Sequence, residues 1–456
     1  MPDEIHRFRY AAGCRRAGRI LILAFAGGIG VAMGVTSAAA QNWRAPFAQP
    51  DLQRWTTGLA QQGIQFEGRY LGEFAANPAG GQRQGSDYTG ELAAGARLDL
   101  GRLIGLDGGS FDILFTDRQG KNLAQNTINN SISVQQIYGG GQTFQLTEFT
   151  YEQKLLNDRV NLLVGRTLLT NEFATSELYC MFQNNAVCGQ PFITASDTGV
   201  SIYPVAGWGG RLQVWATRLF YIKFGAYQDV ANLDPTSDHG FTWGLAGTSG
   251  FDLPVEVGLQ ETPADAAFPD RLDAGAFIDR SHYSGIANGP YYGRSLIYLQ
   301  GQARLWQAEP GSARGLYGFA MGAVGMPASR QPLNFEINAG IVDEGPFAAR
   351  PGDYAGFSIS ENHASAAELA SVYSRRLALE ANTQQHASNM IMFEANYAAQ
   401  ATPWLQIMPN FQYVVNPDGN GGVLAAPPDN LPNAVVFGLQ FVIDMPKLFG
   451  IPGSNI

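Results

Sequence analysis

Sixteen short segments in which apolar and polar residues alternate run through this chain, and the gaps between them are alternately short and long. In Leu296 to Trp306, Ile297, Leu299, Ala303 and Leu305 share one face with Gly301 between them, and Gln300, Gln302 and Arg304 share the other. Successive side chains of a strand point to opposite faces, so one side of such a segment can meet hydrocarbon while the other meets water. A bilayer offers no water to exposed backbone groups, and the only sheet that spans it is a closed one. The pattern predicts an all-β fold: a transmembrane antiparallel β-barrel of about 16 strands. Its strands are expected to begin near Ile64, Tyr88, Ser110, Phe144, Val160, Gly210, Leu219, Pro254, Arg271, Ser295, Leu316, Leu333, Asp353, Met390, Trp404 and Ala434.

The face assignment repeats along the chain. Phe220, Ile222 and Phe224 oppose Tyr221 and Lys223; Leu333, Phe335 and Ile337 oppose Asn334, Glu336 and Asn338. Phe393 and Tyr397 oppose Glu394 and Asn396, and Leu405, Ile407, Phe411 and Tyr413 oppose Gln406, Asn410 and Gln412. A soluble sandwich would alternate in the same way. Two features favour the barrel: no long helices exist to cover such a sheet, and aromatic residues gather toward strand ends as interfacial girdles do.

Asn157-Asp158, Ala216 to Arg218 and Ala401 to Pro403 form tight turns. Between them lie long polar segments, Gly120 to Gly141, Leu168 to Trp208, Asp229 to Phe251, Glu361 to Ser388 and Asn416 to Leu431. Outer-membrane barrels have short periplasmic turns and long external loops, so both chain ends are expected in the periplasm. A barrel of about 16–18 strands leaves an aqueous lumen, and the inward residues named above are mostly polar.

Composition agrees. Charged residues make up 15% of the chain, against about 25% in ordinary soluble proteins, while the mean hydropathy is -0.10. A lipid face averaged with a wet lumen gives that neutral value. Residues 1–40 carry the marks of a secretory signal: Arg15, Arg16 and Arg19, the apolar stretch Ile20 to Val35, and Ala38-Ala39-Ala40 before Gln41. Residues 41–62 follow as a periplasmic segment with Leu52, Trp55 and Leu59 at helical spacing, then the barrel over 63–445 and a tail over 446–456. The signal holds five arginines and two acids, so its removal takes the net charge from -10 to -13. An acidic chain is a poor nucleic-acid binder, and it argues against an anion-selective pore.

Cys180 and Cys188 remain after the signal leaves, and a close pair in an oxidising compartment is expected to form a disulfide. Catalytic constellations are absent: His239, His282, His363 and His386 fall in expected external loops, with no spacing that suggests a triad. Gly139-Gly140-Gly141 lacks the Lys-Ser/Thr of a phosphate loop, and Asp418-Gly419-Asn420 is a turn rather than a calcium loop. No enzyme activity, cofactor or metal is expected.

Asn161 to Tyr203, with Gly165-Arg166, Asn171-Glu172-Phe173 and Cys180 to Cys188, resembles the third-loop region of the carbohydrate-selective outer-membrane porin family. The tail from Phe393-Glu394-Ala395-Asn396-Tyr397 through Pro403-Trp404 to Pro409 to Pro417 is similar to the end of that family. So are Gly63-Ile64 and Leu106-Asp107-Gly108-Gly109. Two features depart from the family: Arg54-Trp55-Thr56-Thr57-Gly58 replaces its usual run before the first strand, and the chain ends in Ile456 rather than an aromatic residue. The resemblance implies a channel in a Gram-negative outer membrane for passive diffusion of small sugars such as monosaccharides, surrounded by outer-membrane lipids and assembled as a homotrimer. Its third loop would fold into the lumen. The alternative is a general or ion-selective porin without sugar preference. A sugar offers hydroxyls and an apolar ring face, so a selective constriction needs bidentate hydrogen bonders and aromatic rings, with binding weak enough to release. The candidates are Arg166 at the base of the cysteine loop, Glu172 and Phe173 within it, and Trp208 closing it. Trp208 serves equally as an interfacial aromatic. From the strands come Glu148, Gln302, Arg304, Glu394, Asn396 and Gln406.

Overall fold

The computed structural model describes residues 45–230, 236–245, 248–283, 290–378, 387–417, 419 and 431–453. The expected signal over 1–40, His386, and Asp418 and Asn420 of the expected turn lie outside these residues. Sixteen antiparallel strands close into a barrel in chain order, the first pairing with the last. They are β1 Ile64–Ala79, β2 Gly85–Asp99, β3 Gly109–Gly120, β4 Phe144–Leu155, β5 Val160–Thr167, β6 Gly207–Trp215, β7 Phe220–Val230 and β8 Thr248–Glu261. There follow β9 Asp270–Asp279, β10 Ser295–Gln307, β11 Gly315–Met326, β12 Leu333–Glu344, β13 Tyr354–Ala364, β14 Asn389–Thr402, β15 Leu405–Val415 and β16 Ala434–Asp444. Closure runs from Arg69 opposite Asp444 to Ala76 opposite Phe437. The expected starts agree closely; the largest discrepancy is β8, which begins at Thr248 rather than Pro254. His363 belongs to β13 rather than to a loop.

The two faces separate as the alternation requires. In β10, Ile297, Leu299 and Leu305 are 45%, 57% and 60% exposed on the outer wall, whereas Gln300 and Gln302 are buried inside. Lipid-facing positions near the middle of such a wall favour apolar side chains. Leu299→Arg places a charge near the middle of that wall and is expected to cost about 2–4 kcal/mol, measured by reversible urea unfolding in lipid vesicles. One expected face is corrected. A register shift between Leu333 and Phe335 turns Leu333 inward, where it is buried and its N–H donates to Asp197 Oδ1 at 3.0 Å.

The periplasmic turns are short because their residues accept unusual backbone angles. Leu156, Asn157 and Asp158 all have positive φ between β4 and β5, a conformation that Asn and Asp adopt most readily. The N-terminal helix, α1 Pro50–Gln62, starts with proline in its first turn and stops at Gly63, whose φ of 105° lets its N–H bond back to Ala60 O and Leu59 O. Trp55 stacks on outward-facing Phe66 with centroids 5.7 Å apart. A second helix, α2 Leu100–Ile104, fills the first turn; its N-terminus is capped by Asp99.

The external loops are not simply polar. The loop between β5 and β6, residues 168–206 (L3), carries Leu168, Leu169, Phe173, Leu178, Tyr179, Phe182 and Ile193, all at most 2% exposed. All of them but Leu168 pack inside the barrel against Tyr227, Phe277, Tyr298, Tyr317, Phe319 and Met321 of the wall. The loop between β3 and β4, residues 121–143 (L2), also folds inward around Leu123, Ile128, Ile132 and Val134. Burying each large apolar side chain is worth about 1.5–3 kcal/mol, enough to seat both loops. The inner face is thus not polar throughout: Tyr298 and Gln300 share it, and L3 covers the aromatic part.

Candidate functional site

L3 is fixed to the wall by buried carboxylates and amides. Glu394 of β14 accepts the backbone N–H groups of Gln183 at 2.8 Å and Asn184 at 2.8 Å, and the Asn184 side chain at 2.8 Å. Glu336 of β12 accepts those of Phe192 and Ile193 at 3.2 and 2.5 Å, and Glu256 of β8 that of Ala174 at 3.2 Å. Asn396 donates to Met181 O at 2.8 Å, and Asn410 donates to Gln183 Oε1 at 2.6 Å. Gln302 accepts from Ser176 at 2.5 Å and Gln300 accepts from Tyr179 at 2.9 Å. L2 locks onto L3 through Asn185 N–H to Ser133 O at 2.8 Å and Gln136 N–H to Gln183 O at 2.9 Å. L3 therefore lines the wall from β7 round to β15.

The sector opposite, from β1 to β6, carries a ladder of arginines and carboxylates, buried at Glu91, Arg118 and Arg211 and open to the lumen at Arg69 and Arg97. Arg118 of β3 bonds Glu91 of β2 at 2.6 Å, and Arg69 of β1 reaches the same Glu91 at 3.3 Å. Arg97 of β2 lies 3.6 Å from Asp112 of β3 and 3.3 Å from Glu152 of β4. Arg211 of β6 bonds Glu172 of L3 at 2.6 Å and approaches Glu152 at 3.6 Å. L3 completes the ladder from its other end: the Tyr203 ring lies 5.1 Å under the Arg118 guanidinium, and its hydroxyl donates to Glu91 at 3.3 Å. The Arg69 and Arg97 side chains remain 32% and 42% exposed. Such forks match pairs of adjacent hydroxyls as they match carboxylates. Away from the ladder, burial pushes the Asp197 carboxyl of L3 up to about 8.

Several of the residues singled out from the sequence lie on the lumen side. Glu172 sits in the ladder, and Glu148 faces the lumen, accepting from Asn171 at 2.7 Å. Gln406 lies on the inner face, in register with Gln400. Glu394, Asn396 and Gln302 are beneath L3 and hold the loop. Arg304 ties down the turn between β8 and β9 through Asp265 at 3.1 Å. Phe173 is fully buried, 6.1 Å edge-on from Tyr227.

Arg166 and Trp208 need correction. In β5 the outer face carries exposed Leu162 and Val164, and the register pairs Arg166 with Phe149 and Trp208 on that same face. The Arg166 guanidinium is covered by the loop after β7, donating to Thr242 O at 2.5 Å and to Ala206 O at 2.8 Å. Trp208 packs on Trp243 with centroids 5.7 Å apart. Arg166→Ala is therefore expected to leave sugar block of single-channel current unchanged. The parity of Leu162 and Val164 was the available signal, and it outweighs closeness to the cysteine loop. The same parity, applied to β2, β3 and β6, would have revealed Arg97, Arg118 and Arg211. The expected disulfide partners stand as neighbours: the sulfurs of Cys180 and Cys188 are 3.9 Å apart with both thiols free, against about 2.05 Å in a formed bond.

Comparison with known proteins gives the same architecture. The carbohydrate-selective porin, OprB family, matches residues 83–445. Porin B of Pseudomonas aeruginosa is 28% identical over 445 residues, covering 90% of this chain and 94% of that protein. The putative porin QuiX of Acinetobacter baylyi is 25% identical, covering 79% and 86%. The high-pH structure of Pseudomonas putida OprB superposes with a TM-score of 0.78 at 24% identity, covering 88% of this chain and 99% of that one. Given a closed barrel with an apolar outer wall, a loop-narrowed lumen and a match over most of its length, the chain belongs to the carbohydrate-selective porin, OprB family, and is a sugar channel of the Gram-negative outer membrane.

Proposed function

We propose that small neutral sugars, monosaccharides such as glucose, cross this channel along the ladder of Arg69, Arg97, Arg118 and Arg211 with Glu91, Asp112, Glu152 and Glu172. The observation that supports this path is that Arg69 and Arg97 of the ladder keep 32% and 42% of their side chains exposed to the lumen. Its charges pair closely, so the site presents directional donors and acceptors with little net field. That combination binds hydroxyls weakly and lets them go. Glu172 acts here through Arg211. Glu148 is a wall residue along the same route, whereas Gln406 lies on β15, outside it.

The same reading takes the protein to be exported by a cleaved signal over 1–40 and assembled as a homotrimer among outer-membrane lipids. Its Cys180 and Cys188 are bridged after export. The proximity of the two sulfurs supports the bridge. In planar bilayers, glucose is expected to reduce single-channel conductance by occupying the ladder. Conductance untouched by any sugar would leave a general porin.

A further inference from the structure

We propose that the periplasmic end of the lumen holds a second sugar subsite, in series with the ladder, that takes a single neutral pyranose. The inference rests on the sugar-channel reading above and adds a place to it. A cavity of about 340 Å³ opens there, lined by Gln65, Arg97, Asp99, Arg102, Ser110 and Lys154. Its volume falls in the range of small-molecule sites, about 300–1,000 Å³.

The cavity is assembled by three turns that close on one another. Gly63 ends α1 at a φ of 105°, and a Cβ there would stand 2.8 Å from Asp99 O. Gly108 leads into β3 at a φ of 72°, and a Cβ there would stand 2.4 Å from Lys154 O. With glycine at both points, α1, the α2 turn and the end of β4 converge around one space. Several of its polar groups are already aligned. Gln65 and Arg97 are direct partners across β1 and β2. Arg97 donates to Ser110 Oγ at 3.2 Å, and Arg102 pairs with Asp99 at 3.2 Å. Among the described residues, the Lys154 ammonium has no hydrogen-bond or ion-pair partner.

The chemistry suits a polyol. Gln65 and Ser110 both donate and accept, Asp99 accepts, and Arg97, Arg102 and Lys154 donate, which matches a ring bearing hydroxyls that do both. The lining contains no aromatic residue, so there is no stacking platform and binding stays weak. Conduction favours several weak sites in series over one tight one.

The test uses the full-length protein in detergent and reads Lys154 directly. Lys154 is modified with a water-soluble acetylating reagent with and without methyl glucoside and quantified by mass spectrometry, with Lys447, outside the cavity, as the internal reference. Saturating glucoside is expected to slow Lys154 labelling about fivefold or more relative to Lys447. Gln65→Ala is expected to abolish most of that protection while glucoside still blocks the current. Equal labelling rates with and without glucoside, in a channel that glucoside blocks, would overturn the subsite and leave the sugar channel standing. Full protection persisting in Gln65→Ala would place the protecting sugar elsewhere and overturn it too. Loss of both block and protection in the unaltered protein would overturn both readings.

Discussion

In Glu394→Ala, single-channel conductance is expected to rise and become noisy, and sugar block to weaken, while the barrel itself stays folded. Glu394 is buried and accepts two L3 amides and the Asn184 side chain, so its removal strands three buried donors at once. Leaving a buried donor without its partner costs about 1–3 kcal/mol, so three of them together cost about 3 kcal/mol or more. A cost of that size shifts the seated population of the Met181–Asn185 segment by about 10²–10³-fold. The barrel strands lose little, because β14 keeps its ladder bonds to β13 and β15. Bilayer recordings beside heat-modifiability gels separate the two effects. A variant with unchanged conductance and block would mean that L3 is held by its apolar core alone.

The second large effect is expected at Arg97. Arg97→Ala should raise the glucose concentration for half-block by about 10–100-fold, since hydrogen bonds to a charged group are worth about 1.5–3 kcal/mol. Arg97→Lys keeps the charge but loses the planar fork, so its block should fall between. A second readout accompanies the first. Alanine leaves Asp112 and Glu152 without their shared partner, so reversal potentials should shift toward cation selectivity. Unchanged block with a shifted reversal potential would make Arg97 an electrostatic residue that does not touch sugar.

The barrel was legible in the sequence because each strand has a wet and a dry side. Ile297 and Leu299 against Gln300 and Gln302 set the period, and Asn157-Asp158 marked a turn. The site was less legible for two reasons. Parity decides which wall a strand residue faces, and a single register assignment separates Arg166 outside from Arg211 inside. Inward polarity is also ambiguous. Glu394 and Asn396 face the lumen as their alternation predicts, yet they serve loop amides rather than solute, and nothing local to β14 tells those roles apart. L3 hides its seating in the same way. Phe173, Tyr179 and Phe182 are scattered among polar residues without a strand or helix period, so their common burial appears only when the loop meets Tyr227 and Phe319.

On the proposed path solute moves between L3 and the β1–β6 wall and not beneath L3. The most direct measurement replaces Cys180 and Cys188 with serine and then introduces one cysteine at a time, by Asp112→Cys on the ladder and Asn338→Cys under the loop. A bulky water-soluble thiol reagent is added during single-channel recording. Stepwise closure at Asp112→Cys with an unaffected current at Asn338→Cys is the predicted result. Closure at Asn338→Cys with Asp112→Cys unaffected would put the path on the other side of L3 and contradict the account.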